Sequence, residues 1–418
     1  MGFLRREVET APTTSPYRWV MLGNVAFLYF SFGLVQTSLA PLLTNIQDDL
    51  DISDALTGAA LAAWQLVYVF FAIPAGAAIE KLGLRRGLAA AGIIMAASAV
   101  ARALAFNYAS LFLGIAAFGL GGPLISIGAP ATVARWFSPE DRPVATGIYS
   151  VAPATGGIVA LFTANSIFMP LTGDSWRLTL IIFGSIAIVA AVAWILFARD
   201  AALPPELRAE EPGGEGSVSR FLAVGRIGTV QIMLVMSIGI FMFGHGTSNW
   251  LPTLLRREGF SRAQAGNLAS LPTIFGVIAA LTLTRWVRHG KGRDTKALTA
   301  AFLLGALAAA MVPLADGHLR IAALVIYGFG LNSATPLMMI MLMGMTRVGA
   351  RNMGIAGGLW FTFGEIGGVL GPTVVGAVSE VSSLSTGFYM LSGVSALLAL
   401  TTIFVLRPSL RRSDDLPP

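Results

Sequence analysis

The chain has 418 residues, 55% of them hydrophobic and 12% charged, with a net charge of +6 and no cysteine. Soluble domains run nearer a quarter charged, so a water-soluble globular protein is excluded, and the missing cysteine excludes disulfides and thiolate metal sites. The basic excess does not read as nucleic-acid binding, because the lysines and arginines sit in short loops between apolar runs, where membrane topology accounts for them.

Apolar runs of about 20 residues, the length of a helix crossing ~30 Å of hydrocarbon, recur from end to end. Residues 1–16 carry Arg5 and Arg6 but also Glu7, Glu9 and two prolines, and read as a short cytosolic tail rather than a cleavable signal. Twelve spans are predicted over 18–44, 56–79, 86–106, 110–134, 144–168, 177–198, 227–255, 264–286, 296–315, 319–344, 352–378 and 387–406. The first and seventh are long, which predicts tilt or an extended end. A transmembrane barrel would alternate in short strands, and these runs do not. The 47 glycines and 21 prolines fit membrane helices, which tolerate both where neighbours satisfy the freed backbone groups. The fold class expected is an all-α polytopic membrane protein of about twelve transmembrane helices.

Lys and Arg alternate between loops. Lys81, Arg85 and Arg86 follow span two, and Arg135 and Arg142 follow span four. Arg285, Arg288, Lys291 and Arg293 follow span eight, Arg347 and Arg351 follow span ten, and Arg407, Arg411 and Arg412 lie after the last. The loop 45–55 holds Asp48, Asp49, Asp51 and Asp54 without a base. This pattern places both termini on the cytoplasmic side of a cytoplasmic (inner) membrane, with Arg256, Arg257 and Arg262 after span seven as the exception. The one long polar connection, 199–226, contains Pro204, Pro205, Pro212, Gly213, Gly214 and Gly216 and reads as a flexible linker. It divides the chain into an N-terminal six-helix half, 1–198, and a C-terminal one, 227–418.

The halves repeat one another. Gly147 to Gly157 in span five and Gly358 to Gly368 in span eleven each run from one glycine to a Gly-Gly pair, each follows an arginine (Arg142 or Arg351), and they are offset by 211 residues. Gly119 and Gly121 match Gly328 and Gly330 at 209, Pro41 and Leu43 match Pro252 and Leu254 at 211, and Ser53 and Gly58 match Ser261 and Gly266 at 208. Matches in order at a nearly constant offset indicate duplication. Parallel repeats about an axis along the membrane normal are a transporter plan, with the substrate site near the midplane.

At this point the chain resembles the major facilitator superfamily. The resemblance covers nearly all of it: twelve spans, a six-plus-six division and a central linker. The most specific motif is the loop after span two, with Gly76, Glu80, Lys81, Gly83, Arg85 and Arg86. Glu80 stands where the family usually has aspartate, and Leu84 where a base is common. The second-half counterpart, Thr284 to Arg293, keeps only basic character. Pro153, Gly156 and Gly157, with Gly367, Gly371 and Pro372, resemble the glycine-proline motif quoted for antiporters, but its plain form lies in the second half and antiport is not read from it. Ile115 occupies the place of the span-four arginine of many proton-coupled members. Arg135-Trp136-Phe137, Ala145 to Tyr149 and Trp176-Arg177 are most similar to the bacterial cyanate and nitroimidazole permease branch, and monocarboxylate and choline-type carriers come second. That branch often has an arginine in span one, where this chain has Gln36. The resemblance implies a secondary transporter and not an enzyme, and contacts among the charges of the loop motif that hold a cytoplasmic gate in one state.

Glu365 is the first candidate for chemistry. A charged side chain in a span costs at least ~2.5 kcal/mol on insertion scales and usually faces an interior cavity. Its role is either proton coupling or a structural bond to Ser or Asn on a neighbouring helix, and Na⁺ is an alternative coupling ion. His245, in a polar run ending at Asn249 and Trp250, either relays a proton or is a neutral histidine bonded within the bundle. Candidate substrate-binding residues are Gln36, Trp64, Gln65, Tyr68, Tyr149, Ser150, Asn249, Asn332 and Trp360, the alternative for the aromatics being packing or an interfacial belt and for the amides interhelical bonding. Trp64 and Tyr68 lie one turn apart on one face. Arg102, near the end of span three, is expected to snorkel to the interface. With no Lys or Arg at mid-depth in either half, multiply charged substrates are disfavoured.

The leading reading is a proton-coupled symporter of a small solute, foremost a monocarboxylate or cyanate-like organic anion. The alternative is a carrier or exporter of amines, held by Glu365 and the faces of Trp64, Tyr68 and Trp360. An embedded enzyme is disfavoured because HExxH, GxSxG and an intramembrane carboxylate pair are all lacking. A non-transporting sensor would carry a soluble domain, and the longest polar segment is the linker. No cofactor and no metal are expected beyond H⁺ as coupling ion. The expected partners are a small-molecule substrate and membrane lipid, with no nucleic acid, and the working unit expected is a monomer.

Overall fold

A computed structural model describes residues 13, 15–201, 222–287, 292–345 and 348–412, without the side chains at 73, 284, 331, 332, 349–351 and 412. Arg5, Arg6, most of the expected linker, Arg288, Lys291 and Arg347 lie outside the described residues.

Among the described residues, twelve helices are long and apolar enough to cross a membrane. They are α1 (Tyr17–Thr37), α2 (Asp54–Leu82), α3 (Leu84–Ala103), α4 (Tyr108–Trp136), α5 (Arg142–Thr163) and α6 (Trp176–Phe197), then α7 (Gly228–Arg257), α8 (Arg262–Val287), α9 (Arg293–Leu314), α10 (Gly317–Gly344), α11 (Gly349–Val381) and α12 (Leu384–Thr401). Helices suit these sequences because hydrocarbon offers no partner for a free peptide group, and a helix satisfies its own. The extended end predicted for the first span is present: after Thr37 a 3₁₀ turn, Ala40–Leu42, leads into a short helix, Leu43–Leu50. Polar caps set several starts. Asn107 and Ser110 form a capping box on α4, and Ser175 and Ser383 cap α6 and α12. Between α2 and α3, Gly83 has a φ of 78°, which side-chain-bearing residues rarely adopt. The glycine of the loop motif is therefore a backbone requirement.

The chain forms two compact units. Unit 1 comprises Met1–Ile46 with Leu66–Glu211, and unit 2 comprises Gln47–Gln65 with Pro212–Pro418. Helix α2 thus begins in unit 2 and continues in unit 1. In unit 1, α1 packs chiefly on α5, and in unit 2, α7 packs chiefly on α11. The two glycine-rich stretches lie at these crossings. A Cβ on Gly156 would strike the carbonyl of Phe30 and come within 2.7 Å of the Leu34 nitrogen. A Cβ on Gly367 would strike the carbonyl of Ile238 and come within 2.8 Å of the Met242 nitrogen. The same holds one crossing further on: Gly121 faces the Ala91 carbonyl in unit 1, and Gly330 faces the Ala301 carbonyl in unit 2. The repeat seen in the sequence is therefore a repeat of backbone-to-backbone contacts, which small residues permit where no hydrophobic force drives helices together. The core of unit 2 includes Met233, Leu298, Leu337, Met338, Trp360 and Leu406.

The charges near helix ends have specific partners. Arg257, an exception to the loop rule, meets both Asp54 carboxylate oxygens at 2.8 Å, and its other terminal nitrogen donates to Ser379 at 2.9 Å. Ser379 donates to Asp54 at 2.5 Å, and Gln47 donates to it at 2.8 Å. This knot ties the start of α2 to α7 and α11 within unit 2. Arg257 is 43% exposed, so the pair is solvent-screened. Asp54→Asn is expected to cost about 1 kcal/mol, read as a fall of a few degrees in apparent melting temperature; an unchanged value would show that the knot adds nothing to stability.

Arg102 corrects an expectation. It does not snorkel but is 1% exposed, donating to the Val35 carbonyl at 2.9 Å with its guanidinium 5.1 Å from the centre of the Phe118 ring. The reason is register: Leu88, Ala91, Met95, Ser98 and Arg102 form one buried stripe along α3. Unit 1 therefore holds a buried cation in the last turn of α3.

Candidate functional site

The site develops from an antiparallel register between the first turns of α2 and the C-terminal third of α11, both within unit 2. Gly58 lets α2 lie directly against the Pro372 carbonyl. Seven residues along α2 is Gln65, and seven residues back along α11 is Glu365. Helix α7 is fixed beside them because Trp250 donates to the Pro372 carbonyl at 3.0 Å and Gly371 faces Gly246. Five residues back from Trp250, about one and a half turns, lies His245.

These three side chains converge on Gly368. A Cβ placed there would lie 2.6 Å from Glu365 Oε2, 3.0 Å from Gln65 Cγ and 3.3 Å from His245 Cδ2. Gln65 is 0% and Glu365 5% exposed. Both polar atoms of Gln65 and Oε2 of Glu365 are buried without a hydrogen-bond partner among the described residues. Buried polar groups are nearly always paired, so each such group calls for an explanation. A carboxyl, an amide and an imidazole around one glycine can bind a polar solute and hold or release a proton.

A cluster of aromatic rings adjoins His245. The His245 ring lies 5.8 Å from both Trp64 and Phe241. Trp360 stands edge-on to Phe241 and to Phe361, each at 5.2 Å, and its buried indole nitrogen has no partner among the described residues. Asn249 is half-buried and donates to the carbonyl of His245 at 2.8 Å, so part of its amide serves its own helix.

Other candidates belong to unit 1. Tyr68 is buried against Gly122 of α4, and Tyr149 is buried with its ring 5.9 Å from Tyr29. Gln36 is half-buried near the end of α1, and Ser150 is exposed. The side chain of Asn332, on α10, lies outside the described residues. In the loop motif, Glu80, Lys81 and Arg86 are exposed, whereas Arg85 donates to the Ile195 carbonyl at 3.1 Å and its own carbonyl accepts from Trp194 at 2.8 Å. Gly76 and Gly83 have open space where a side chain would stand. No ion pair involving Glu80, Lys81, Arg85 or Arg86 occurs among the described residues.

Sequence reasoning missed three features. The acid–base knot at Asp54 joins positions more than 200 residues apart, and its only signal was the opposed charge of two loops. Arg320, 4% exposed, pairs with Glu258 at 3.0 Å and carries no signal of its own. Gly368 as the floor of the site was visible only as a helical neighbour of Glu365.

Among the described residues, twelve membrane-length helices in repeated order define a polytopic helical membrane protein. The sequence matches the Major Facilitator Superfamily over residues 25–372, and the chain belongs to that family, a family of small-solute transporters. It is similar to the 2-nitroimidazole transporter of Escherichia coli K12, at 25% identity over 93% of this chain and 95% of that one. It is 24% identical to the hexuronate transporter of Bacillus subtilis 168, over 90% and 91% of the two chains. In fold it matches the crystal structure of the nucleoside transporter NupG, with a TM-score of 0.74 and 15% identity, over 93% of this chain and 98% of that one.

Proposed function

We propose that the chain moves a small organic anion together with a proton across the cytoplasmic membrane, with both termini inside and the repeats 1–198 and 227–418 rocking as an alternating-access monomer. The observation that carries this reading is the buried Glu365 Oε2 beside the buried amide of Gln65, both without a hydrogen-bond partner among the described residues. The empty carrier returns with Glu365 ionised, its carboxylate accepting from the Gln65 amide beside it until a proton arrives on the solute side. A bound anion enforces protonated Glu365, because two negative charges cannot share a dry pocket. Proton and anion then cross together, and uptake rises as the pH on the solute side falls. His245, packed between Trp64 and Phe241, is placed to exchange the proton with Glu365. The loop motif with Gly76, Glu80, Lys81, Gly83, Arg85 and Arg86 is assigned to the cytoplasmic gate. The hexuronate transporter among the relatives supports an anionic solute.

A second reading has its own observation. The rings of Trp64 and Phe241 beside His245, with Trp360 and Phe361 packed on Phe241, suit a planar heterocycle or an amine lying on ring faces, and one relative is a 2-nitroimidazole transporter. Purified protein in liposomes under an imposed pH gradient, offered small acids, amines and neutral heterocycles, separates the two. Accumulation of an acid supports the anion reading, and accumulation of amines or heterocycles alone overturns it.

A further inference from the structure

The amide of Gln65 presents one donor group and one acceptor, side by side, in a fully buried position. Gln65 is 0% exposed, and neither Nε2 nor Oε1 has a partner among the described residues. Its stem and Glu365 Oε2 both lie within 3.0 Å of the point where a Gly368 Cβ would stand, so the two side chains meet at Gly368. The register argument explains why the pair is fixed: Gly58 against Pro372 sets α2 on α11, and Trp250 binds the same carbonyl from α7.

A simple carboxylate offers acceptors only. It can take a hydrogen bond from Gln65 Nε2 and another from protonated Glu365, but it leaves Oε1 buried and facing like charge. A hydroxyl on the carbon next to the carboxylate supplies the missing donor. We propose that Gln65 is a specificity-determining residue that selects 2-hydroxycarboxylates over the corresponding unsubstituted acids. The carboxylate accepts from Nε2 and from Glu365, and the 2-hydroxyl donates to Oε1. The remaining carbons of the solute face the rings of Trp64 and Phe241. This rests on the anion reading above and narrows it to one chemical class.

The size of the effect follows from the asymmetry of buried hydrogen bonding. A pocket built to bond a substrate hydroxyl rejects the analogue that lacks it far more strongly than an apolar pocket rejects an added group, because the site's own polar atom is left unpaired. Replacing Gln65 by an apolar residue of similar length removes the unpaired atom and with it the discrimination.

The test uses full-length protein in liposomes and two matched pairs, lactate against propionate and glycolate against acetate, competing for uptake under an inward proton gradient. Wild type is expected to prefer the hydroxy acid by about a hundredfold or more, and Gln65→Leu to bring the ratio to within about threefold, with the pH drive retained. Equal competition by both members in wild type overturns the assignment without any variant, and leaves the anion reading standing if both acids accumulate with the gradient. A preference that survives in Gln65→Leu also overturns it. So does a Gln65→Leu variant that keeps the preference but loses proton drive, which would place Gln65 with Glu365 in proton handling. Uptake of no acid at all, with uptake of an amine, overturns the anion reading and this inference together.

Discussion

Glu365→Gln is expected to abolish uphill accumulation while leaving exchange intact. The substitution keeps the shape and a donor of protonated Glu365 but removes its titration. For one proton per solute, a one-unit pH gradient is worth ~1.4 kcal/mol and supports up to about tenfold accumulation. Wild type should approach that limit, and the variant should stop at equal concentrations on both sides. Counterflow of labelled against unlabelled solute needs no proton release, because the solute stays paired with a neutral residue throughout, and should persist at a comparable rate. If the variant still accumulates solute with the gradient, the coupling role of Glu365 falls. If it loses counterflow as well, Glu365 binds solute directly and does not serve as a separable proton carrier. Asp in place of Glu would retain titration on a shorter stem, and partial recovery of accumulation with Glu365→Asp would separate charge from shape.

The second large effect concerns two adjacent glycines with opposite expected outcomes. Gly367 faces backbone: a methyl group there would strike the Ile238 carbonyl and press on the Met242 nitrogen at 2.8 Å. Neither atom can move without displacing α7. Overpacking of this kind costs about 1–3 kcal/mol and sometimes more, so Gly367→Ala should lower yield and melting temperature. The three atoms nearest a methyl group at Gly368 are all in side chains: Glu365 Oε2 at 2.6 Å, Gln65 Cγ at 3.0 Å and His245 Cδ2 at 3.3 Å. These can rotate away, so Gly368→Ala should fold as well as wild type yet lose transport about tenfold or more, since small misplacements of positioned groups carry large functional costs. Melting curves together with uptake distinguish the two. Two variants with the same phenotype, both unstable or both active, would show that the site does not lie at Gly368.

Much of this arrangement was legible in the sequence. The twelve spans, and the duplication at offsets near 210, required only hydropathy and the spacing of glycines. The structure gives that spacing a cause: Gly156 and Gly367 occupy equivalent helix crossings where no side chain fits. Glu365 was legible because a lone carboxyl in an apolar run is rare. Its companions were not. Gln65 stood among several amides and aromatics with nothing in the sequence to rank it, and only the register of α2 on α11 brings it to Glu365. Arg102 was misread because a position near a helix end usually allows an arginine to reach the interface, although its place on the Leu88, Ala91, Met95 and Ser98 stripe was a signal that it faces inward. The partners of Asp54 could not be read at all, since Arg257 and Ser379 are joined to it only by tertiary packing.

The central claim is that Glu365 carries a proton with each solute molecule. The most direct measurement is luminal pH in liposomes holding a pH-sensitive dye, with no gradient imposed, after the transported acid is added outside as its fully ionised salt. The lumen should acidify with wild type as each anion brings a proton inward, and should remain unchanged with Glu365→Gln although labelled solute still exchanges. Solute entry without acidification in wild type, or acidification that persists in Glu365→Gln, would contradict the account.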